Sequence, residues 1–152
     1  MSTISSEMRT MLVDSVSKFV DAEYDFETRR ALSQSELGYN ADHWRAFADL
    51  GWLSVSLPES LGGLGGNLAD LSEMVEQFGR GLVLEPYFSS VVLAASVLEA
   101  GDNAGLASDV IPKMVAGELV LSLAWEEVSS GNNPMKIDAK AVVNGDGFEP
   151  VS

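Results

Sequence analysis

The connection between residues 52 and 66 constrains the fold of this chain more than any other segment. It reads Trp-Leu-Ser-Val-Ser-Leu-Pro-Glu-Ser-Leu-Gly-Gly-Leu-Gly-Gly, an apolar half followed by a glycine-rich half. The pattern predicts a helix that ends at Gly51 before it and another that begins at Asn67 after it. This is an unusual amount of hydrophobic sequence for a connection between helices, and it is typical of an ordered segment.

Length and composition predict one globular protein with a sizeable core. The chain has 152 residues, of which 46% are hydrophobic and 21% charged. It has no cysteine, which excludes disulfides, thiolate metal sites and cysteine nucleophiles. Residues 1–9 are polar and do not resemble a secretory signal, and no apolar run approaches the roughly 20 residues of a membrane span. We therefore expect a cytoplasmic protein.

The charge balance argues against one class of partner. Nine basic residues stand against 23 acidic ones, for a net charge of −14. Phosphate backbones would be repelled, so we expect no nucleic-acid binding. A nucleotide would have to be held by backbone N–H groups and a few local cations.

Apolar residues at helical spacing predict five helices in the first two-thirds of the chain. Asn40 is the predicted N-cap of the second helix, and Asn67, with Asp70 three residues later, that of the third. The fourth has no charged residue between Pro86 and Glu99, so it is expected to be buried on most sides. Pro112 should kink or interrupt the fifth. The predicted helices span residues 6–24, 40–51, 67–81, 86–101 and 103–116, with a partly helical connection or loop at 25–38.

The pattern changes after Gly117. Residues 119–125 form a short apolar run without helical period, which predicts a buried strand. Further strands are predicted at 137–143 and 148–151, joined by a turn at Asn-Gly-Asp-Gly. So few strands would leave exposed edges. We therefore predict a helical domain at residues 1–117 and the start of a β domain at 118–152 that continues beyond this sequence.

Few residues have the character of a catalytic site. His43 is the only histidine, and its position near a helix start predicts a surface or capping residue. The loop after Gly63 departs from the dinucleotide fingerprint, since Leu68 stands at the third glycine position. Glu76 and Arg80 could pair across one helical turn, whereas Glu126 and Glu127 are adjacent and would point to opposite faces of a strand.

The order and spacing of several motifs resemble the acyl-CoA dehydrogenases along essentially the whole chain. These motifs are Trp44, Phe47, Leu50-Gly51-Trp52, Pro58-Glu59, Leu61 to Gly65, Glu76, Gly79-Arg80, Ile111 to Glu118 and Leu121 to Glu127. Residues 24–30 and 81–87 are similar to a narrower branch, the pimeloyl-CoA dehydrogenase small-subunit type.

The resemblance implies a mainly α fold: the family's N-terminal domain of up-and-down helices, followed by the first strands of a truncated, barrel-like β domain. It also implies a flavoenzyme with FAD as cofactor, in which a carboxylate removes the α-proton of an acyl-CoA while a hydride passes to the flavin. The family's catalytic base lies in a C-terminal helical bundle. No residue of this chain is therefore assigned as the base, and no metal is expected.

Binding roles are carried over from the family by position. Leu84, Phe88, Ser89 and Val92 match the family's acyl-chain pocket, although Phe88 and Val92 suit ordinary core equally. Ala124, Trp125 and Ser130 match the start of its flavin contacts. Here Trp125-Glu126-Glu127 replaces the family's Thr-Glu-Pro motif, so a threonine hydroxyl contact to the flavin is lost. Trp125 is open to two interpretations, a core aromatic residue or a stacking surface for a flat cofactor.

Two functions follow from these observations. The first is the N-terminal part of an acyl-CoA dehydrogenase, which contributes an acyl-chain pocket and subunit contacts and is inactive alone. The second is a non-catalytic subunit of a heteromeric dehydrogenase, or a helical interaction module. The resemblance implies an acyl-CoA substrate, a homo- or hetero-oligomer such as a tetramer, and an electron-accepting flavoprotein as partner.

Overall fold

Two compact units make up the chain. The computed structural model describes residues 4–131, 133–145 and 147–151, and it divides the chain into residues 1–122 and residues 123–152. The boundary lies five residues after the one that the sequence indicates. Leu119 and Leu121 belong to the first unit, where the Leu119 carbonyl accepts from the Trp44 indole at 3.3 Å and the Leu121 N–H donates to the Ser90 hydroxyl at 2.9 Å.

The first unit is helical, as predicted. Short 3₁₀ turns lie at Trp52–Ser54 and Glu59–Leu61, and π-helical turns at Phe88–Ala94 lead directly into the fifth α-helix. The α-helices are α1 (Ser6–Glu23), α2 (Phe26–Ser33), α3 (Ala41–Asp49), α4 (Leu68–Gly81), α5 (Ala95–Ala100) and α6 (Ala104–Val115).

Local side-chain chemistry accounts for most helix starts. The Asn40 side chain accepts from the Asp42 N–H, as predicted. At α4, Asn67 accepts from the N–H groups of Ala69 and Asp70, while the Asp70 carboxylate accepts from the Asn67 N–H at 2.8 Å. This reciprocal capping box satisfies donors that would otherwise be left unpaired at the helix end.

The core gathers around the residue 52–66 connection. Trp52, Leu53, Val55 and Leu57 are buried, and the Trp52 ring lies 4.9 Å from that of Phe47, which stacks on Phe78 at 5.2 Å. The glycine-rich half folds back on the apolar half through three backbone hydrogen bonds of 2.8 to 2.9 Å. They run from Leu64 to Ser54, from Gly65 to Leu57 and from Gly66 to Val55.

Several local predictions were wrong. Residues 119–125 form no strand, and Leu119, Val120 and Trp125 are each more than a third exposed. Pro112 does not interrupt its helix, since α6 continues through it to Val115; a kink at Pro112 stays a prediction. The segment after Pro86 is not buried on most sides, because Phe88 is 57% and Val97 52% exposed.

The second unit contains an antiparallel hairpin. Strands β1 (Lys140–Asn144) and β2 (Gly147–Val151) pair from Lys140↔Val151 to Asn144↔Gly147. Two residues, Gly145 and Asp146, therefore connect the strands, and Asp146 lies outside the described residues. The predicted turn and returning strand are confirmed, while the first strand starts three residues later than predicted.

Candidate functional site

An apolar pocket opens on the first unit where the end of α4 meets the segment that leads to residue 88. Its volume is about 330 Å³. Most lining side chains are apolar, and Arg29 and Glu85 are the charged ones. The lining residues are Arg29, Val75, Phe78, Gly79, Leu82, Val83, Glu85, Tyr87 and Phe88.

The structure separates the four residues predicted for the acyl chain. Phe88 lines the pocket and is 57% exposed, so it is not an ordinary core residue in this chain. Val92 is half-buried and packs against the core. Leu84 is half-buried in the connecting segment, and the Ser89 hydroxyl is 3.2 Å from the Pro86 carbonyl of its own turn. Of the four, Phe88 is in the lining.

Next to the pocket lies a cluster of polar groups around Glu85, which we call the Glu85 cluster: Tyr24, the backbone N–H of Asn40, His43 and Glu85. His43 and Glu85 are buried, and Tyr24 and Asn40 are half-buried. The Glu85 side chain is fully buried. It accepts a short hydrogen bond from the Tyr24 hydroxyl, and its Oε1 lies 3.2 Å from His43 Nδ1 and 3.3 Å from the Asn40 N–H nitrogen. His43 Nδ1 is also 3.3 Å from the Tyr24 hydroxyl.

The prediction for His43 was wrong: this residue is 9% exposed and belongs to the Glu85 cluster. Sequence reasoning missed Glu85 for a related reason, since its partners Tyr24 and His43 lie more than 40 residues earlier in the chain. One signal could have found it. Glu85 is a lone carboxylate between Val83-Leu84 and Pro86-Tyr87, and a charge placed among apolar residues is a candidate for burial with partners.

Burial moves both titratable groups toward their neutral forms. It raises the pKa of the Glu85 carboxyl, against smaller opposing effects of backbone hydrogen bonds. It lowers the pKa of His43, although the nearby carboxylates Glu23 and Asp42 act in the opposite direction. A neutral Glu85 can donate a hydrogen bond from its carboxyl O–H to Nδ1 of the neutral imidazole, so the two groups satisfy each other without a buried charge.

These pKa shifts predict how stability depends on pH. The raised pKa of Glu85 means that its contribution is fully present below about pH 4.5, the ordinary glutamate value, and is lost as the pH rises through the folded-state pKa. The lowered pKa of His43 means that its contribution is present above about pH 6.5 and is lost as the pH falls. Thermal unfolding of Glu85→Gln and wild type from pH 4.5 to 8 should show the variant gaining relative stability toward pH 8.

The comparison cancels the titrating groups that do not contact Glu85, because they are common to both proteins. Glu36→Gln, an exposed glutamate, is the control and should show no such trend. A melting-temperature difference between Glu85→Gln and wild type that stays constant over this range would contradict the assigned pKa shift.

Other contacts correct the remaining site predictions. Arg80 pairs with Asp21 of α1 at 2.8 Å and contacts Ser17, and no described ion pair joins it to Glu76. The Glu127 carboxylate accepts from the backbone N–H groups of Asp138 and Ala139 at 2.8 and 3.0 Å. The side chains of Arg80 and Glu127 therefore bond to other parts of the fold in this chain.

The residues predicted to contact FAD lie in the second unit. Ala124 and Trp125 are exposed, so Trp125 is not a core aromatic residue in this chain. Ser130 is buried, and its hydroxyl donates to the Glu127 carbonyl at 2.8 Å. In this arrangement the Ser130 hydroxyl bonds to its own turn and not outward to a cofactor phosphate. The FAD contacts of the three residues stay a prediction, and we assign no chemical step to them.

The described residues lack two features that would point to other functions. They contain no helix that combines the length and the apolarity required to cross a bilayer. They also bring together no group of three or more histidine or acidic side chains with the spacing of a metal site.

Comparison with known proteins identifies the family. The sequence matches the family "Acyl-CoA dehydrogenase, N-terminal domain" over residues 6–118. It is 34% identical over 97 residues to the acyl-CoA dehydrogenase IpdE2 of Mycolicibacterium smegmatis. This match covers 63% of this chain and 31% of the relative. It is 34% identical over 115 residues to FadE27 of Mycobacterium tuberculosis, which covers 76% of this chain and 30% of that protein.

Solved structures agree with this result. The steroid ACAD variant Tcur3481–Tcur3483 superposes with a TM-score of 0.84 at 29% identity, over 96% of this chain and 40% of the other. The ChsE4–ChsE5 complex of Mycobacterium tuberculosis superposes with a TM-score of 0.81 at 29% identity, over 100% of this chain and 40% of the other. The chain spans about a third of the length of the curated relatives that it matches. It belongs to the acyl-CoA dehydrogenase family, of which it carries the N-terminal helical domain.

Proposed function

We propose that this chain is the N-terminal part of a flavin-dependent acyl-CoA dehydrogenase, which introduces a double bond between the α and β carbons of an acyl-CoA thioester. The observation that carries the proposal is an apolar pocket beside Phe88, in a chain whose residues 6–118 match the family's N-terminal domain. FAD is the proposed cofactor and the cytoplasm the proposed location. The pimeloyl-CoA dehydrogenase small-subunit type remains a prediction within the family.

The proposed role of this chain is binding. Leu82, Val83 and Phe88 line a pocket whose apolar side chains would hold an acyl chain away from water. Leu84, Ser89 and Val92 are proposed to support this wall. Since the free energy of burying apolar surface is roughly 25 cal/mol per Å², the exposed ring of Phe88 offers a substantial gain when a ligand covers it.

The chemistry itself is proposed to lie outside these residues. The one buried carboxylate at the pocket, Glu85, already bonds to Tyr24 and lies beside His43. We therefore propose that these 152 residues carry no catalytic base and do not oxidise acyl-CoA alone. The subunit contacts, assembly into a homo- or hetero-oligomer and electron transfer to a partner flavoprotein belong to the same proposal. So does the division of the whole protein into a helical domain and a β domain after residue 117, although the first compact unit of this chain extends to residue 122.

A second function is a non-catalytic subunit of a heteromeric acyl-CoA dehydrogenase. Two observations favour it: Trp125-Glu126-Glu127 stands in place of Thr-Glu-Pro, and the Ser130 hydroxyl is bonded to its own backbone. The solved ChsE4–ChsE5 complex supports a heteromeric arrangement in a similar protein.

The visible spectrum distinguishes the two functions. The protein is purified both as these 152 residues and as the longest polypeptide that its gene encodes. For the first function, we expect the longer polypeptide to carry a flavin absorption band that bleaches on addition of octanoyl-CoA, while the 152 residues stay inactive. A longer polypeptide that remains colourless after incubation with FAD would instead support the non-catalytic subunit.

Two matched variants test the pocket by their affinity for octanoyl-CoA. Phe88→Ala should raise the Kd for octanoyl-CoA about tenfold or more, since losing the burial of a phenylalanine side chain under the ligand costs about 1.5–3 kcal/mol. Val97→Ala is the control, because Val97 is similarly exposed on the following helix but does not line the pocket. Equal Kd values for both variants and wild type would exclude this pocket as the acyl site.

A further inference from the structure

Three polar contacts fix the chain segment from Leu82 to Phe88, which forms one wall of the pocket. The Arg29 Nε donates to the Leu82 carbonyl at 2.8 Å. The Tyr87 hydroxyl donates to the Trp52 carbonyl at 2.8 Å in the core. Between them, Glu85 is bonded from behind by Tyr24 and by the N–H of Asn40. The wall is therefore anchored at its start, its middle and its end.

The middle anchor is unlike the other two. Arg29 bonds to a backbone carbonyl, and Tyr87 reaches the core as an uncharged hydroxyl, but Glu85 is an ionisable group whose side chain is fully buried. A buried carboxyl without partners would be strongly unfavourable. The partners come from the end of α1 and from the start of α3, so the Glu85 cluster joins two helices to the pocket wall.

We propose that Glu85 is a positioning residue: together with Tyr24, Asn40 and His43 it sets the conformation of residues 82–88 and so the shape of the pocket at Phe88. This inference rests on the proposed function only for the identity of the ligand. Glu85 is not assigned a chemical step. The groups that contact Glu85 are the Tyr24 hydroxyl at the end of α1, and the Asn40 N–H and the His43 ring at the start of α3. The carboxylates of Glu23 and Asp42 act on His43.

Amide hydrogen exchange measures the wall directly. The N–H of Val83 donates to Phe78 at 3.0 Å and that of Tyr87 donates to the Glu85 carbonyl at 2.7 Å. Leu71, whose N–H donates to Asn67 at 3.1 Å in α4, is the internal reference for global unfolding. In Glu85→Ala, we expect exchange at Val83 and Tyr87 to accelerate at least tenfold relative to Leu71.

Conservative variants keep the test decisive if Glu85→Ala does not fold. Tyr24→Phe removes only the hydroxyl that bonds to Glu85 and should accelerate the same two amides. Glu85→Gln mimics the neutral carboxyl and should restore exchange close to wild type. Glu36→Ala, an exposed glutamate, is the matched control. The positioning role is overturned if the exchange ratios are unchanged in both Glu85→Ala and Tyr24→Phe. If Glu85→Ala does not fold, an unchanged ratio in Tyr24→Phe alone overturns it.

Binding of octanoyl-CoA separates this inference from the proposed function. If both hold, Glu85→Ala or Tyr24→Phe raises the Kd at least fivefold and Glu85→Gln does not. If the wild-type protein binds no octanoyl-CoA, the proposed function fails and the exchange ratios alone support or overturn the positioning role. If octanoyl-CoA binds with the same Kd in every variant, the wall does not depend on Glu85 for ligand binding and the inference fails.

Discussion

Gly63→Ala is expected to destabilise the helical unit by at least about 3 kcal/mol, a large part of the roughly 5–15 kcal/mol that holds a domain folded. A Cβ at this position would lie 1.9 Å from the Leu57 carbonyl oxygen and 2.2 Å from its carbon. These are backbone atoms of a buried residue, so no side chain can rotate to relieve the clash. Urea unfolding followed by circular dichroism measures the loss.

Gly105→Ala is the matched control for this substitution. Its new Cβ would meet only the Asn103 side chain at 3.6 Å, an ordinary contact, and it lies in the first turn of α6. Alanine should therefore be neutral or stabilising there, by up to about 1 kcal/mol. If Gly63→Ala unfolds at the same urea concentration as wild type, the two halves of the 52–66 connection do not pack as described.

Asp70→Ala is the second large effect, with an expected loss of about 3–5 kcal/mol. Asp70 is 1% exposed. It accepts from the Asn67 N–H at 2.8 Å to cap α4, and from Arg9 Nε at 2.6 Å to join α1 to α4. Alanine removes half of the capping box and leaves a partly buried guanidinium without this partner.

The measurement is again urea unfolding, with Asp109→Ala as the control. Asp109 forms an exposed pair with Lys113 one helical turn away, and such surface pairs contribute at most about 1 kcal/mol. The double variant Arg9→Met/Asp70→Ala should recover part of the loss, because it removes the unpaired charge as well. A loss below about 1 kcal/mol in Asp70→Ala would show that the buried pair contributes no more than a surface pair.

A glycine-rich segment can be a ligand-binding loop, but in this chain the segment has a packing role. The loop from Gly62 to Gly66 turns back on the apolar segment before it, and Gly63 and Gly66 lie too close to backbone oxygens for any larger residue. The motif that carries much of the family resemblance therefore specifies a packed connection. The pocket that we propose for the acyl chain lies elsewhere, beside Phe88.

The predictions that held depend on neighbours in the sequence. Asn40 and Asn67 cap their helices through atoms two or three residues away. The turn after Asn144 needs only the conformations of the two residues that it contains. A short-range signal of this kind can be recognised in the sequence because the groups that satisfy each other are already adjacent along the chain.

The predictions that failed depend on distant residues. Arg80 turns away from Glu76 to Asp21 because α1 packs against α4, so a partner 59 residues earlier lies closer than one on the same helix. Leu119 to Trp125 has the composition of a strand, but no described strand pairs with it. Sequence composition cannot supply a pairing partner.

The sequence by itself determined the helical architecture, the helix starts at Asn40 and Asn67, the hairpin turn and the family, because periodicity, capping groups and motif spacing are local properties of the chain. Only the tertiary structure decided that Tyr24, His43 and Glu85 meet. Helix packing brings three segments into one buried place. There, removal from water raises the pKa of a carboxyl and makes each polar group depend on the others.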